Sequence, residues 1–326
     1  MKVLVTGGAG YIGSHASHLL AEAGHEVVIL DSFVKGHRAA TSGLPVVEGD
    51  IRDAAFLAGV FSERRFDAVM HFAAFIEMGE SVADPAKYYN NNLAGGLTLL
   101  EAVVRAGVKR FVFSATAGVY GMPDETPILE SAPTNPINPY GQTKRDFEVA
   151  LEYCRKAYGL SYAALRYFNA AGAHPDGTMG EDHEPESHLI PRILSAAIGG
   201  QEVGIFGTDY PTPDGTCVRD YIHVLDLSKA HILALDVLGR GEGHVLNLGN
   251  GRGFSVREII KKAEQVSGLT VRVKECPRRP GDAPVLVASS QKAREVLGWT
   301  SEYADIDTII ATAWRWHSSH PKGYGD

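Results

Sequence analysis

The feature that most limits what this chain can fold into is its start. Residues Lys2–Thr6 read KVLVT, an apolar run of strand length. Gly7, Gly8, Gly10 and Gly13 follow at once, and then Ile12, Ala16, Leu19, Leu20 and Ala23 recur at helical spacing up to Gly24. A second apolar run, residues 27–30, closes on Asp31. The order strand, glycine turn, helix, strand, acid predicts a single βαβ unit.

The order of these parts also predicts a ligand. Glycines let the backbone turn tightly and approach a pyrophosphate closely. A helix starting near Tyr11 aims its free amides and the positive end of its dipole at phosphate oxygens. Asp31 lies 18 residues after Gly13, at the end of the second strand. There a carboxylate accepts hydrogen bonds from both hydroxyls of an adenosine ribose and repels a 2′-phosphate, which favours NAD over NADP. The glycine spacing is G-x-x-G-x-x-G, unlike the G-x-G-x-x-G of many dehydrogenases.

Composition sets outer bounds. The 326 residues suffice for one large or two medium domains, and 44% apolar with 21% charged residues suits an ordinary globular chain. A net charge of −8 argues against a nucleic-acid or anionic-membrane partner. Cys154, Cys217 and Cys276 are scattered, with no C-x-x-C pair, so neither a disulfide framework nor a zinc-cysteine site is expected and a cytoplasmic setting is. The chain opens on a strand, so no signal peptide is expected. No apolar run approaches the ~20 residues of a membrane span.

Further strands are predicted over residues 45–49, 68–72, 110–114 and 162–167, with helices over 88–106 and 142–158. The alternation predicts an α/β fold, a Rossmann-type doubly wound parallel sheet with a smaller C-terminal α/β substrate domain. The division falls near residue 170: 1–170 would bind NAD, 171–326 would bind substrate, and segments near 221–250 would return to the first sheet. Ligands of such sheets lie beyond the strands' carboxyl ends. Residues 174–186 are polar and turn-rich, and the acidic run 180–186 reads as a solvated loop.

A second signal is Y-G-Q-T-K. Tyr140 and Lys144 stand four apart just after Pro139, at the expected start of a helix, so their side chains share one face. The lysine ammonium and an oxidised nicotinamide are both expected to lower the phenol pKa from its usual ~10, as a base for alcohol oxidation needs. Ser114-Ala115-Thr116 closes a predicted strand, where hydroxyls can bond a substrate oxygen and relay its proton to Tyr140.

With these residues in view the chain resembles the extended short-chain dehydrogenase/reductases, and within them the UDP-glucose 4-epimerase family. The matching stretches are TGGAGYIGSH, HFAA, GES, YYNNN, FSATAGVYG, NPYGQTK, RYFNAAG, IFGTDYPTPDGTCVRDYIHVLDL and RRPGD, from residue 6 to residue 282. The resemblance implies tightly bound NAD, regenerated in each cycle. Tyr140, helped by Thr116, would take the proton from the sugar 4-hydroxyl while hydride leaves carbon 4. The 4-keto sugar would turn over and be reduced on its other face. Lys144 would hold the nicotinamide ribose.

The same resemblance carries further positions. Gly7, Gly10, Tyr11, Ile12 and Gly13 would lie at the pyrophosphate. Asp31 and Ser32 would hold the adenosine ribose, with Asp50 and Ile51 flanking adenine. Phe72, Ala73, Ala74 and Asn92 would complete the cofactor cleft, with Ser114 and Phe168 at strand ends beside it. Arg219 and Arg279 would grip the sugar-nucleotide diphosphate, two guanidinium forks facing an anion. Asn169 would bond near the phosphates or sugar, Leu189 and Phe206 would bracket uracil, and Asp282 would hold its ribose. His188 and Tyr221 are also carried over as sugar-nucleotide contacts. Relatives pair through two helices per subunit, so a homodimer through 88–106 and 142–158 is implied.

Three departures matter. Ala115 replaces a serine of some members, Ile76 a lysine, and Leu286 occupies a position that varies in size beside carbon 2 of the sugar. UDP-GlcNAc/UDP-GalNAc and UDP-pentose epimerases therefore stay open as alternatives. A 4,6-dehydratase needs an Asp-Glu pair where Thr116 is followed by Ala117 and Gly118, and a non-catalytic NAD sensor would have lost Tyr140 or Lys144. His15, His18, His317 and His320 show no metal spacing, so no metal is expected. Trp299, Trp314 and Trp316 read as packing residues.

Overall fold

In the computed structural model, which describes residues 1–279 and 281–325, the opening unit forms as its pattern dictates. β1 (Lys2–Thr6) and β2 (Glu26–Asp31) pair in parallel, and α1 (Tyr11–Glu22) connects them. The sheet continues with β3 (Val46–Glu48), β4 (Ala68–His71), β5 (Arg110–Ser114) and β6 (Ser161–Tyr167), every pairing parallel. Strands covered on both faces can be apolar throughout. On one face Val3, Val5, Ile29, Met70 and Val112 meet Leu20 of α1. On the other, Leu4, Val28, Leu30, Val69 and Phe111 meet Leu57 of α2 (Ala54–Glu63).

The segment 88–106, expected as one helix, is continuously helical to Arg105 but is not α-helical throughout. Short helices α3 (Met78–Ala83) and α4 (Pro85–Tyr88) lead into a π-helical turn, Tyr89–Gly95, and only then into α5 (Gly96–Arg105). The turn lies on YYNNN. Within it the Asn92 amide accepts from the Phe75 backbone N–H and donates to the Phe75 carbonyl, both at 2.9 Å. That pair of bonds ties the helix to the loop after β4. α6 (Pro139–Tyr158) starts three residues before the expected 142, because Asn138 caps it by accepting from Gly141 N–H at 2.8 Å and Pro139 suits the first turn.

Past β6 the chain builds a second region. It contains β7 (Asn169–Ala171), α7 (Leu189–Gly199), β8 (Glu202–Phe206) and β9 (Val218–His223). α8 (Val224–Val237) and β10 (Gly243–Leu248) then return, β10 pairing with β6 to give the order β10-β6-β5-β4-β1-β2-β3. Leu227, Ala230 and Ala234 of α8 share the core of the α1 face. β9 gathers β7, β11 (Gly253–Ser255) and later β13 (Val285–Leu286), while β12 (Arg272–Cys276) pairs with β8. Ile193 and Leu194 of α7 pack with Ile259 of α9 (Val256–Ser267) and Ile309 of α11 (Ile306–Ser319). Trp299, next to α10 (Gln291–Leu297), and Trp316 are fully buried, as packing residues should be.

Candidate active site

The carboxyl ends of β1, β2, β4, β5 and β6 open on one cleft of about 380 Å³, within the range of small-molecule sites. The glycine turn forms its floor. Gly7 adopts φ +73°, and a Cβ there would lie 2.4 Å from the Ala73 nitrogen. A Cβ on Gly13 would lie 2.1 Å from the Gly7 carbonyl oxygen. Two backbone segments thus approach as closely as glycine alone allows, leaving a cradle at the start of α1.

Asp31 closes the cradle. One carboxylate oxygen accepts from Ala9 N–H and the other from Phe33 N–H, each at 2.9 Å. Burial raises its pKa, and these amides oppose the shift. Both oxygens keep lone pairs for further donors. Ser32, Asp50 and Ile51 line the same wall. Asp50 is held below the usual carboxylate range by its hydrogen-bonded partner Arg52, 2.6 Å away. Gly10, Tyr11, Ile12, Phe72, Ala73 and Ala74 complete that end. Asn92 does not line the cleft; its amide is spent on Phe75.

Ser114, Thr116, Tyr140, Lys144 and Phe168 meet further along the same cleft. Lys144 Nζ donates to the Ser114 carbonyl at 2.8 Å and lies 5.9 Å from the Tyr140 ring centre. Burial lowers its pKa to about 7; Glu148 opposes this. Glu148 is itself held by Arg166 at 2.5 Å. Thr116 Oγ1 accepts from Gly118 N–H at 3.0 Å, which fixes the hydroxyl. The expected lowering of the Tyr140 pKa is absent from the chain alone. Burial pushes it up to about 12, against an opposing hydrogen bond to Thr116. The lysine charge does not counter this, because its hydrogen bond goes to Ser114 and burial drives it toward neutrality.

The sugar-side residues divide. Asn169, His188 and Arg219 line the cleft. Asn169 donates to the Asp220 carbonyl at 2.9 Å. Arg219 is ion-paired with Asp282 at 2.7 Å, and the Arg279 guanidinium lies 3.8 Å from the Phe206 ring centre. Asp282, Arg279, Phe206 and Leu189 stand outside the cleft lining, the first three joined to each other or to Arg219 by these contacts. Tyr221 is buried in β9 opposite Asn169, so its place is structural.

The family model of the NAD dependent epimerase/dehydratase family matches residues 3–249. The chain belongs to that family. A UDP-glucose 4-epimerase of Halalkalibacterium halodurans is 52% identical over 326 residues, covering 99% of this chain and 98% of that one. The crystal structure of a Brucella ovis UDP-glucose 4-epimerase in complex with NAD is similar with a TM-score of 0.93 at 48% identity, over 96% of this chain and 97% of that chain. A Bifidobacterium longum UDP-glucose 4-epimerase in complex with NAD+ and UDP gives 0.95 at 40% identity, over 99% and 100%.

In this member of the epimerase/dehydratase family several cleft residues escaped the reading of the sequence, His183 and Lys35 among them. His183 lines the cleft and packs edge-on against Tyr11, ring centres 6.3 Å apart. Lys35 reaches from the loop after β2 to the Glu184 carbonyl. The acidic run is not the solvated loop expected. Glu181 is 3% exposed, and its carbonyl accepts from the Trp316 indole at 3.0 Å. The signal that points to this is the alternation E-x-H-x-x-E-x-H over residues 181–188.

Proposed function

We propose that this chain is an isomerase that interconverts UDP-galactose and UDP-glucose by inverting carbon 4. The observation that carries the reading is that one cleft holds a glycine cradle at a helix start, a half-buried tyrosine with a lysine and a fixed threonine hydroxyl, and the guanidinium of Arg219. Gly7 and Gly13, whose lack of a Cβ lets the turn pack against the Ala73 backbone and against itself, shape a cradle that fits NAD. The lone-pair capacity left on Asp31 suits the two hydroxyls of its adenosine ribose. When bound, NAD supplies a two-electron acceptor at the sugar carbon and a positive charge that favours the phenolate.

Each residue of the chain then has one task. Thr116, its oxygen already accepting from Gly118, hydrogen-bonds between sugar hydroxyl and phenol, keeping its proton overall by accepting one from the sugar as it passes one to Tyr140. Tyr140 takes the proton of the 4-hydroxyl and returns it when the opposite face is presented. Lys144 holds a ribose hydroxyl beside the Ser114 carbonyl it already bonds. Arg219, set by Asp282, binds the diphosphate, the fixed end about which the sugar turns. Arg279, stacked on Phe206, closes on the same nucleotide. Ala117 and Gly118 follow Thr116 with no carboxyl group between them and the cleft, so water elimination lacks its acid and base.

Assembly and setting complete the proposal. Leu97 on α5 and Val149 and Tyr153 on α6 are exposed, Tyr153 to 67%, and α6 places the last two one turn apart. These faces suit a homodimer through α5 and α6, which light scattering tests: a monomer mass at micromolar concentration counts against it. No helix among the described residues is long and apolar enough to cross a membrane. The three cysteines are free, which fits a reducing cytoplasm. The reading itself is tested by incubating the purified protein with UDP-galactose and separating the products. UDP-glucose is expected, and a 4-keto-6-deoxy sugar would mean a dehydratase instead.

A further inference from the structure

Between β7 and α7 the chain places four potential metal ligands in eight residues. They are Glu181, His183, Glu186 and His188, and one donor atom from each lies within 4.8 Å of all the others. Both imidazoles turn Nδ1 inward. His188 Nδ1 is 2.5 Å and His183 Nδ1 3.2 Å from the same oxygen, Oε1 of Glu181. Glu186 faces them from the other side, 3.6 Å from His188 Nδ1 and 3.7 Å from His183 Nδ1.

Hydrogen bonding accounts for part of this convergence: His188 Nδ1 bonds Oε1 of Glu181, and the His188 backbone N–H donates to Glu186 at 2.7 Å. His183 Nδ1 is buried and has no hydrogen-bond partner despite the two carboxylates beside it. Glu181 is buried as well, and among the described residues its ion-pair partners are these two imidazoles alone, with no lysine or arginine. A buried carboxylate needs a compensating cation.

We propose that Glu181, His183, Glu186 and His188 bind one divalent transition-metal ion, zinc fitting best, as a structural site in the cleft wall. Two imidazole nitrogens and two carboxylate oxygens are a borderline donor set that suits zinc; magnesium and calcium prefer oxygen alone. A dication with two carboxylates and two neutral imidazoles is also electrically balanced. Four protein donors leave no open position, so the ion acts as a clamp and not as a Lewis acid. It would tie the start of α7 to residue 181, which the Trp316 indole anchors. It would thereby brace His183 and His188, which line the cleft.

The test uses the full chain with its retained NAD. The protein is loaded with zinc chloride, dialysed against metal-free buffer and measured by mass spectrometry for metal. One zinc per chain is expected. The His183→Ala/Glu186→Ala variant should lose it, with affinity falling by more than the roughly 10–100-fold that loss of an outer-shell partner costs. Retained NAD shows that the variant has folded. Cobalt(II) added to the unaltered protein provides a check that needs no variant: visible absorption of a four-coordinate cobalt centre is expected. Wild-type protein that holds no zinc after dialysis, or cobalt that gives only the spectrum of the hydrated ion, would overturn the proposal and leave an imidazolium–carboxylate cluster.

Discussion

The two ends of the cleft are built by different means. The cradle at α1 is made of backbone: two glycines with no room for a Cβ, free amides at a helix start, and an aspartate already bonded to two N–H groups. Apart from the Ala73 backbone packed against Gly7, its parts lie within 31 residues of one another. The sugar-side end is made of side chains brought together over long distances. Arg219 meets Asp282 across 63 residues, and Arg279 covers Phe206 from beyond β12. A backbone cradle holds one ligand shape and tolerates little change. A side-chain wall changes its ligand when single residues change.

Four variants test that contrast, beginning where the two ends meet. Tyr140→Phe removes the acid/base and should cost about 10²–10⁴ in turnover while NAD stays bound. Near-normal turnover would mean that another group moves the proton. Gly13→Ala forces a Cβ against the Gly7 carbonyl, so that protein should purify without NAD yet fold. Full NAD content, read from absorbance, would show that the cradle yields more easily than its geometry implies. Arg219→Ala should raise KM for the UDP-sugar by roughly 10–100-fold, the worth of a charge-assisted bond, with NAD content unchanged. Lost NAD in that variant would erase the distinction between the two ends.

Lys144 gives the most specific effect, read in stability and not in turnover. Its ammonium loses its proton near pH 7 in the folded chain, against an ordinary value of 10.5. Between those values the unfolded chain binds the extra proton. The stability of the NAD-free fold should therefore rise with pH from about 7 toward 10. Lys144→Met should flatten that rise in denaturant titrations followed across the range. An unchanged slope would assign it to other groups.

The same contrast explains what the sequence revealed. The βαβ unit, Asp31 and the shared face of Tyr140 and Lys144 depend on spacings of a few residues, and spacing is visible in a sequence. Burial is not. In the chain by itself the phenol of Tyr140 therefore has a raised pKa, where Lys144 together with an oxidised nicotinamide suggested a lowered one. The π-helical stretch at Tyr89–Gly95 went unseen because the bonds that accompany it run from Asn92 to Phe75, in a different loop. The acidic run looked solvated because its charges are dense, yet Trp316, far along the chain, takes its first glutamate inside.

The central claim is that carbon 4 is inverted by oxidation and reduction inside one closed cleft. Its most direct test is a proton NMR time course of the purified protein with UDP-galactose in deuterated water, without added NAD. The account predicts UDP-glucose that keeps its hydrogen at carbon 4, because that hydrogen never reaches solvent. Deuterium at carbon 4, or no conversion even after NAD is supplied, would contradict it.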